Sequence, residues 1–211
     1  VRDPFGIEPL AKAASSGFSE VAQLLLRVGA TVDAAAPHCG RTALHRAAEM
    51  GSSEIAQMLL EAGAQTHVQT MDGSSPLHFA ADAGHLELCA ALLAAGAPLD
   101  LMDVSGAPGL LRAAAMGHAA VCSMLLENGA DVHARDSNGW SCLHHAVVGG
   151  HLEAGMALVA GGAAVGNVTR GTTSLGQMNQ ELWPMLAEAA AMRDEETAKR
   201  QLEEAAEEEG A

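Results

Sequence analysis

The sequence predicts an all-α solenoid of stacked helix-turn-helix units, closed at its C-terminal end by a further helical segment. Three interlocked glycine series carry that expectation. Gly40, Gly73, Gly106 and Gly139 follow one another at 33 residues, with Gly6 34 residues ahead of them. Gly17, Gly51, Gly84, Gly117 and Gly150 keep the same beat, and Gly29, Gly63, Gly96, Gly129 and Gly162 each precede an alanine. A period of about 33 residues marks a stacked helical repeat array. In such an array each unit buries its apolar face only against its neighbours, so function lies in what varies between copies.

Each unit punctuates itself. Thr42, Ser75 and Ser141 stand before the first helix as N-caps, whose hydroxyls satisfy orphan backbone N–H groups. Pro9 and Pro76 fit the first helical turn, where no donor is lost. Leu44, Ala47 and Ala48 then share one face at helical spacing, and the central glycine ends the helix in a left-handed conformation. Ile55, Leu59 and Leu60, or Val121, Leu125 and Leu126, carry the second helix, which Gly63 or Gly129 stops. The small pairs Ala47-Ala48, Ala80-Ala81 and Ala113-Ala114 let neighbouring helices approach closely. The first copy departs as a cap would, with Ala11 and Phe18 at positions that differ from later copies. The fifth copy is the weak one: Gly155 lies inside its second helix, where glycine costs about 1 kcal/mol relative to alanine. Val147-Val148 replaces its small pair and Gly161-Gly162 loosens its end, so something downstream should cover it.

That cover is expected from residues 171–211. Gly171 to Leu175 reads as a decayed sixth opening, and Leu175, Met178, Leu182, Leu186 and Ala189 form a helical stripe. Trp183-Pro184 marks a break or a helix start. From Pro184 onward a long, largely solvated helix follows, with Glu195/Lys199 and Glu196/Arg200 as i,i+4 pairs. The organisation is therefore an array over residues 1–166, with repeats at about 4–36, 38–70, 71–103, 104–136 and 137–166, and a degenerate sixth unit or acidic helix over 167–211.

Residues 40–51 read Gly-Arg-Thr-Ala-Leu-His-Arg-Ala-Ala-Glu-Met-Gly, and residues 73–85 read Gly-Ser-Ser-Pro-Leu-His-Phe-Ala-Ala-Asp-Ala-Gly-His. Each is followed by a Leu-Leu pair and Gly-Ala. Both resemble the Thr-Pro-Leu-His-x-Ala core of the ankyrin repeat, over roughly residues 4–166. The resemblance implies a β-turn finger and two antiparallel helices per unit, a binding role, and a first helix that faces a concave groove. It also implies that His45, His78 and His144 are scaffold groups bonded to finger backbone, and that His85, His118 and His151 are scaffold too.

Composition narrows the function classes. The apolar mass is alanine and leucine; aromatics make up 2% and tyrosine is absent, which suits thin layers of short helices. A net charge of −15 argues against a nucleic-acid partner, which needs a positive surface. No run of 18 apolar residues exists, so no direct membrane insertion is expected. No secretory signal is visible. The chain begins with Val1, which leaves its native start and any upstream domain open. The four cysteines fall inside repeats. Cys89 and Cys122 sit on neighbouring helices about 8–10 Å apart, beyond the roughly 7 Å that a disulfide spans, so free, buried thiols are expected. That fits an intracellular, reducing compartment and points to the cytoplasm, with organellar import left open. Asn167-Val168-Thr169 matches a glycosylation sequon, a short and common motif. Ten histidines and 26 acidic residues invite a metal or catalytic reading. Six of those histidines recur along the array instead of converging, and no His-Glu-x-x-His, paired Cys-x-x-Cys or phosphate-cradling loop occurs. No catalytic residue, metal or cofactor is expected.

What varies is a short column. After the Leu-His positions come Lys12, Arg46, Phe79, Arg112 and His145: four cationic or protonatable groups and one aromatic in an acidic chain. Met50 and Met116, four residues on, offer adaptable apolar contact. At the finger, Ile7, Arg41, Ser74, Ala107 and Trp140 occupy one place, and Trp and Arg are favoured at interfaces. Lys12, Arg41, Arg46, Met50, Phe79, Arg112, Met116, Trp140 and His145 are therefore the candidate partner contacts; the alternative is a solvated face. The expected function is a non-enzymatic protein-binding module, an adaptor or complex subunit whose groove takes an acidic or acidic-aromatic segment. A regulatory domain of an enzyme or channel, or a brace held through the C-terminal helix, are the other readings. The tail from residue 171 carries ten acids against three bases, so it is also a candidate for self-contact with the groove.

Overall fold

The computed structural model describes residues 8–165 and 182–209, and within them ten short helices pair into five units. The first helices are α1 (Pro9–Ser16), α3 (Ala43–Met50), α5 (Pro76–Asp82), α7 (Gly109–Met116) and α9 (Cys142–Gly149). The second helices are α2 (Ser19–Arg27), α4 (Ser53–Glu61), α6 (Leu86–Ala94), α8 (Ala119–Glu127) and α10 (Leu152–Ala160). A last helix, α11 (Leu182–Glu209), follows. First helices stack on first helices and second on second, so the array is an all-α solenoid. Its core is a row of leucines: Leu44, Leu77, Leu110 and Leu143 in the first layer, Leu59, Leu92, Leu125 and Leu158 in the second, all buried. The fully buried pairs Ala47-Ala48, Ala80-Ala81 and Ala113-Ala114 set the close spacing between layers.

The caps form where the sequence places them. Pro9 and Pro76 open α1 and α5. Thr42, Ser75 and Ser141 precede α3, α5 and α9 in capping boxes, in each of which a histidine is the reciprocal partner. The N–H of Thr42 donates to His45 Nδ1 at 3.1 Å, which places the ring proton on Nε2, and Nε2 donates to the carbonyl of Ser74 in the next finger at 3.2 Å. His78 repeats this with Ser75 and with Ala107 C=O. Burial holds the His45 imidazole neutral and lowers its pKa to about 4; burial lowers His78 and His144 as well.

The fingers form a ladder. Each closes on itself, as in Thr70 N–H to Ser74 C=O at 2.9 Å and Asp103 N–H to Ala107 C=O at 3.1 Å. Each also donates to the finger before it, through Met71 to Cys39, Val104 to Asp72, and Ser137 to Ser105. Among the described residues the only β-bridge is Arg135 with Ser141, so the fingers are turns and not sheet.

The second histidine column joins units. His85, His118 and His151 donate from Nε2 to Glu49, Asp82 and Ala115 C=O, each 36 residues back at the end of the preceding first helix. The central glycines make room for them. Gly84 has φ +74°, and a Cβ there would lie 2.5 Å from His118 Nδ1.

The weak fifth unit is covered as expected. Leu186 of α11 is buried, and its Cδ2 would lie 3.0 Å from a Cβ on Gly155. Gly155 is thus the seat of a leucine. Arg193 Nη1 donates to the carbonyls of Val159 and Ala163 at 2.8 and 3.4 Å, closing the end of α10. Pro184 falls in the first turn of α11, which starts at Leu182. Gly161 likewise accommodates Leu126 of α8.

Cys89 and Cys122 are free and buried as expected, and so is Cys142, with burial pushing each thiol up to about 12; Cys39, also free, is only half-buried because it sits on a finger. The sequon at Asn167, the decayed opening at 171–175, Met178, the finger residue Ile7 and the side chains of Glu196 and Arg200 lie outside the described residues.

Candidate functional site

The variable column lies where fingers meet first helices, and the structure gathers it into three clusters. The first joins units two and three. Arg41 Nη1 donates to both oxygens of Glu49 at 2.9 and 2.8 Å, and Arg46 Nη1 reaches the same carboxylate at 3.2 Å. The Arg41 guanidinium lies over the Phe79 ring, 4.4 Å from its centroid, a cation–π contact. His45 meets the same ring edge-on at 5.7 Å.

The second cluster is built on Asp103, whose carboxylate is fully buried. Its Oδ1 accepts the N–H groups of Ser105 and Ala107, and its Oδ2 accepts from Arg112 Nε at 2.9 Å and Nη2 at 2.5 Å. Burial works to raise its pKa, but the hydrogen bonds from Ser105, Ala107 and Arg112 outweigh it and hold the group below the usual carboxylate range. Arg112 Nη1 also lies 3.8 Å from Asp82. The third cluster repeats the plan. Asp136 Oδ1 accepts from Asn138 and Trp140 N–H, and Oδ2 meets His145 Nε2 at 3.0 Å. Here too burial works upward and is outweighed by the Trp140 N–H, His145 and Asn138. The Trp140 ring stacks on His144 at 6.4 Å and tilts against His145 at 5.3 Å, over the start of its own helix α9.

Between the first two clusters runs an open pocket of about 260 Å³, lined by Arg41, Glu49, Asp72, Phe79, Asp82 and Arg112. Hydrogen bonding by Thr70 is the main reason that Asp72 stays ionised below its ordinary range. Met50 and Met116 are exposed at the ends of α3 and α7, and Lys12 is exposed on α1, with no ion pair among the described residues. Among these residues no group of three or more His, Cys, Asp or Glu could hold a metal ion, and no helix is long and apolar enough to cross a membrane.

Ankyrin repeats match the chain in three stretches, residues 1–70, 62–136 and 110–207. The chain belongs to the ankyrin-repeat family. No curated protein matches it. Ankyrin repeats are generally protein–protein interaction modules, and the family is typically non-enzymatic.

Within this ankyrin array the sequence reading found the variable column but missed its counter-ions. Arg112 and His145 each answer an aspartate nine residues earlier, Asp103 and Asp136; where the column holds Phe79, the residue nine back is the uncharged Thr70. That signal is partial, because Lys12 also follows an aspartate, Asp3, by nine residues, whereas Arg46 follows Pro37. The hydrogen bonds themselves assign Arg112 and His145 to holding fingers, and exposure leaves Lys12, Arg46, Met50, Phe79, Met116 and Trp140 as the more accessible side chains of the ankyrin face.

Proposed function

We propose that the chain holds a segment of another protein across the face formed by its fingers and first helices, as an adaptor or complex subunit without catalytic activity. The observation that supports this most is the row of exposed or half-buried Met50, Phe79, Met116 and Trp140 along consecutive units, with Phe79 at the wall of an open pocket. Soft methionines and aromatic rings tolerate a range of apolar side chains, and aromatic anchors dominate binding energy at interfaces. Lys12, and Arg46 at the edge of its Glu49 pair, supply positive charge for an acidic flank of that segment. Arg41 and Arg112, already paired with Glu49 and Asp103, and His145, already bonded to Asp136, frame the face with satisfied groups, so they exclude mismatched partners more than they attract acidic ones. An acidic-aromatic segment therefore fits better than a purely acidic one. The buried free thiols agree with a reducing compartment.

The test is quantitative affinity enrichment with three forms of the chain. The wild type is compared with a face variant (Arg46→Ala, Met50→Ser, Met116→Ser) and an outer variant (Gln57→Ala, Glu61→Ala on α4). Partners that fall at least about tenfold with the face variant and persist with the outer one support the proposal. Loss with the outer variant alone rejects it.

A further inference from the structure

A groove recurs beside the loops that leave the second helices. Between units three and four it encloses about 210 Å³, walled by Leu99, Met102, Pro108 and Leu110, with Asp100 and Asp131 beside them. Between units four and five the same places hold Val132, Arg135, Ser141 and Leu143, with His133 and Ala164. One junction earlier they hold Thr66, Gln69, Ser75 and Leu77, with His67 and Pro98. Between units one and two a single carboxylate, Asp33, accepts from Gln65 N–H. Two carboxylates thus meet an apolar wall at one junction alone, inside the array and on residues that the pocket between Arg41 and Arg112 does not share.

The scaffold yields at the same place. Units two, three and five open their first helix with Thr42, Ser75 or Ser141 and a reciprocal histidine. Unit four has Pro108, with no side-chain cap, and Leu111 where the histidine would stand. It forgoes a capping hydroxyl and an interfinger bond, and Pro108 becomes groove wall. Departures from an otherwise consistent local rule are expected at functional sites.

The charges select the occupant. Asp100 and Asp131 are exposed, neither has an ion pair among the described residues, and no lysine or arginine lines the groove. Asp131 Oδ1 accepts the His133 N–H at 2.8 Å, which fixes that carboxylate in place. In a chain of net charge −15, an acidic segment is repelled here and a basic one is drawn in.

We infer that this groove docks a basic-apolar segment of another protein, an aliphatic side chain resting on Leu99, Met102 and Pro108 and lysine or arginine pairing with Asp100 and Asp131. It is a second contact, independent of the face formed by fingers and first helices.

Selection of random dodecapeptides displayed on phage against the wild-type chain tests this, at about 0.15 M salt so that general attraction is screened beyond about 8 Å. Enriched peptides should carry Leu, Ile, Val or Met with Lys or Arg close by. They should shift the Met102 methyl signal of methionine-labelled protein and leave those of Met50 and Met116 in place. Asp100→Asn with Asp131→Asn should weaken them about three- to tenfold, as the loss of two exposed ion pairs implies. Both positions are exposed and asparagine still accepts from His133, so the melting temperature of this variant should follow the wild type. Peptides that are acidic, or basic with no aliphatic residue, overturn the inference. So do peptides that bind the double variant as tightly as wild type, and a selection that enriches nothing. Shifts at Met50 and Met116 alone place binding on the first-helix face and overturn the groove without touching that reading.

Discussion

Gly84 and Gly96 hold similar backbone angles, φ +74° and +82°, yet a Cβ on Gly84 would meet the His118 ring while one on Gly96 would meet nothing within 4 Å. Both substitutions to alanine carry the left-handed penalty of about 1 kcal/mol. Gly84→Ala also displaces the ring that bonds unit four to unit three, and is expected to cost about 2–3 kcal/mol by urea denaturation, with Gly96→Ala near 1. The same distinction separates the two arginines of the face. Arg112→Gln leaves the buried Asp103 carboxylate without its counter-ion and should cost about 3 kcal/mol. Arg46→Gln loosens a surface pair and should stay within about 1 kcal/mol. Equal losses would show that Asp103 does not depend on Arg112. The neutral histidines add a pH dependence. His45 has its folded pKa lowered to about 4 from 6.5. Its stabilising contribution is present above pH 6.5 and is lost as pH falls toward 4, by at most about 3 kcal/mol. His78 and His144 act in the same direction. The urea midpoint should therefore fall between pH 7.5 and 5.5, and fall less in His45→Gln; an equal fall in both would mean that His45 is not the source.

At the scale of elements, Gly155 changes meaning between sequence and structure. Read along α10 alone, it is a weak point that alanine would repair by about 1 kcal/mol. Read with α11 in place, its missing Cβ is the space that the Leu186 side chain uses. Gly155→Ala is therefore expected to gain nothing, because Leu186 must shift, while Leu186→Ala should cost about 2–4 kcal/mol. Hydrogen exchange localises the effect: Leu186→Ala should speed exchange in α9 and α10 and leave α3 to α6 unchanged, as nearest-neighbour stacking requires. Uniform acceleration along the array would contradict a local seat. Arg193 works with Leu186, since it donates to the carbonyls of Val159 and Ala163 at the end of α10.

Over the whole molecule, the repeat made most of the architecture readable. Thr42, Ser75 and Ser141 announced the first helices, the two later glycine series marked where helices end, and the spacing of Leu44 and Leu59 assigned the buried faces, because all of these are local signals. The candidate face was legible only in part. The column from Lys12 to His145 stood out by comparing copies, but its chemistry depends on Glu49, Asp103 and Asp136, which the fold brings to the arginines and the histidine across a finger. The seats of His118 and Leu186 depend on which helix lies next to which, and no local pattern states that. Hydrogen–deuterium exchange on the complex recovered with the wild-type chain shows whether the protein partner lies across fingers and first helices, as proposed. Slowed exchange is expected in α3, α5 and α7 and in the fingers around Arg41, Ser74 and Ala107, with α4, α6 and α8 unchanged. Protection confined to α4, α6 and α8, or to α11, would contradict it.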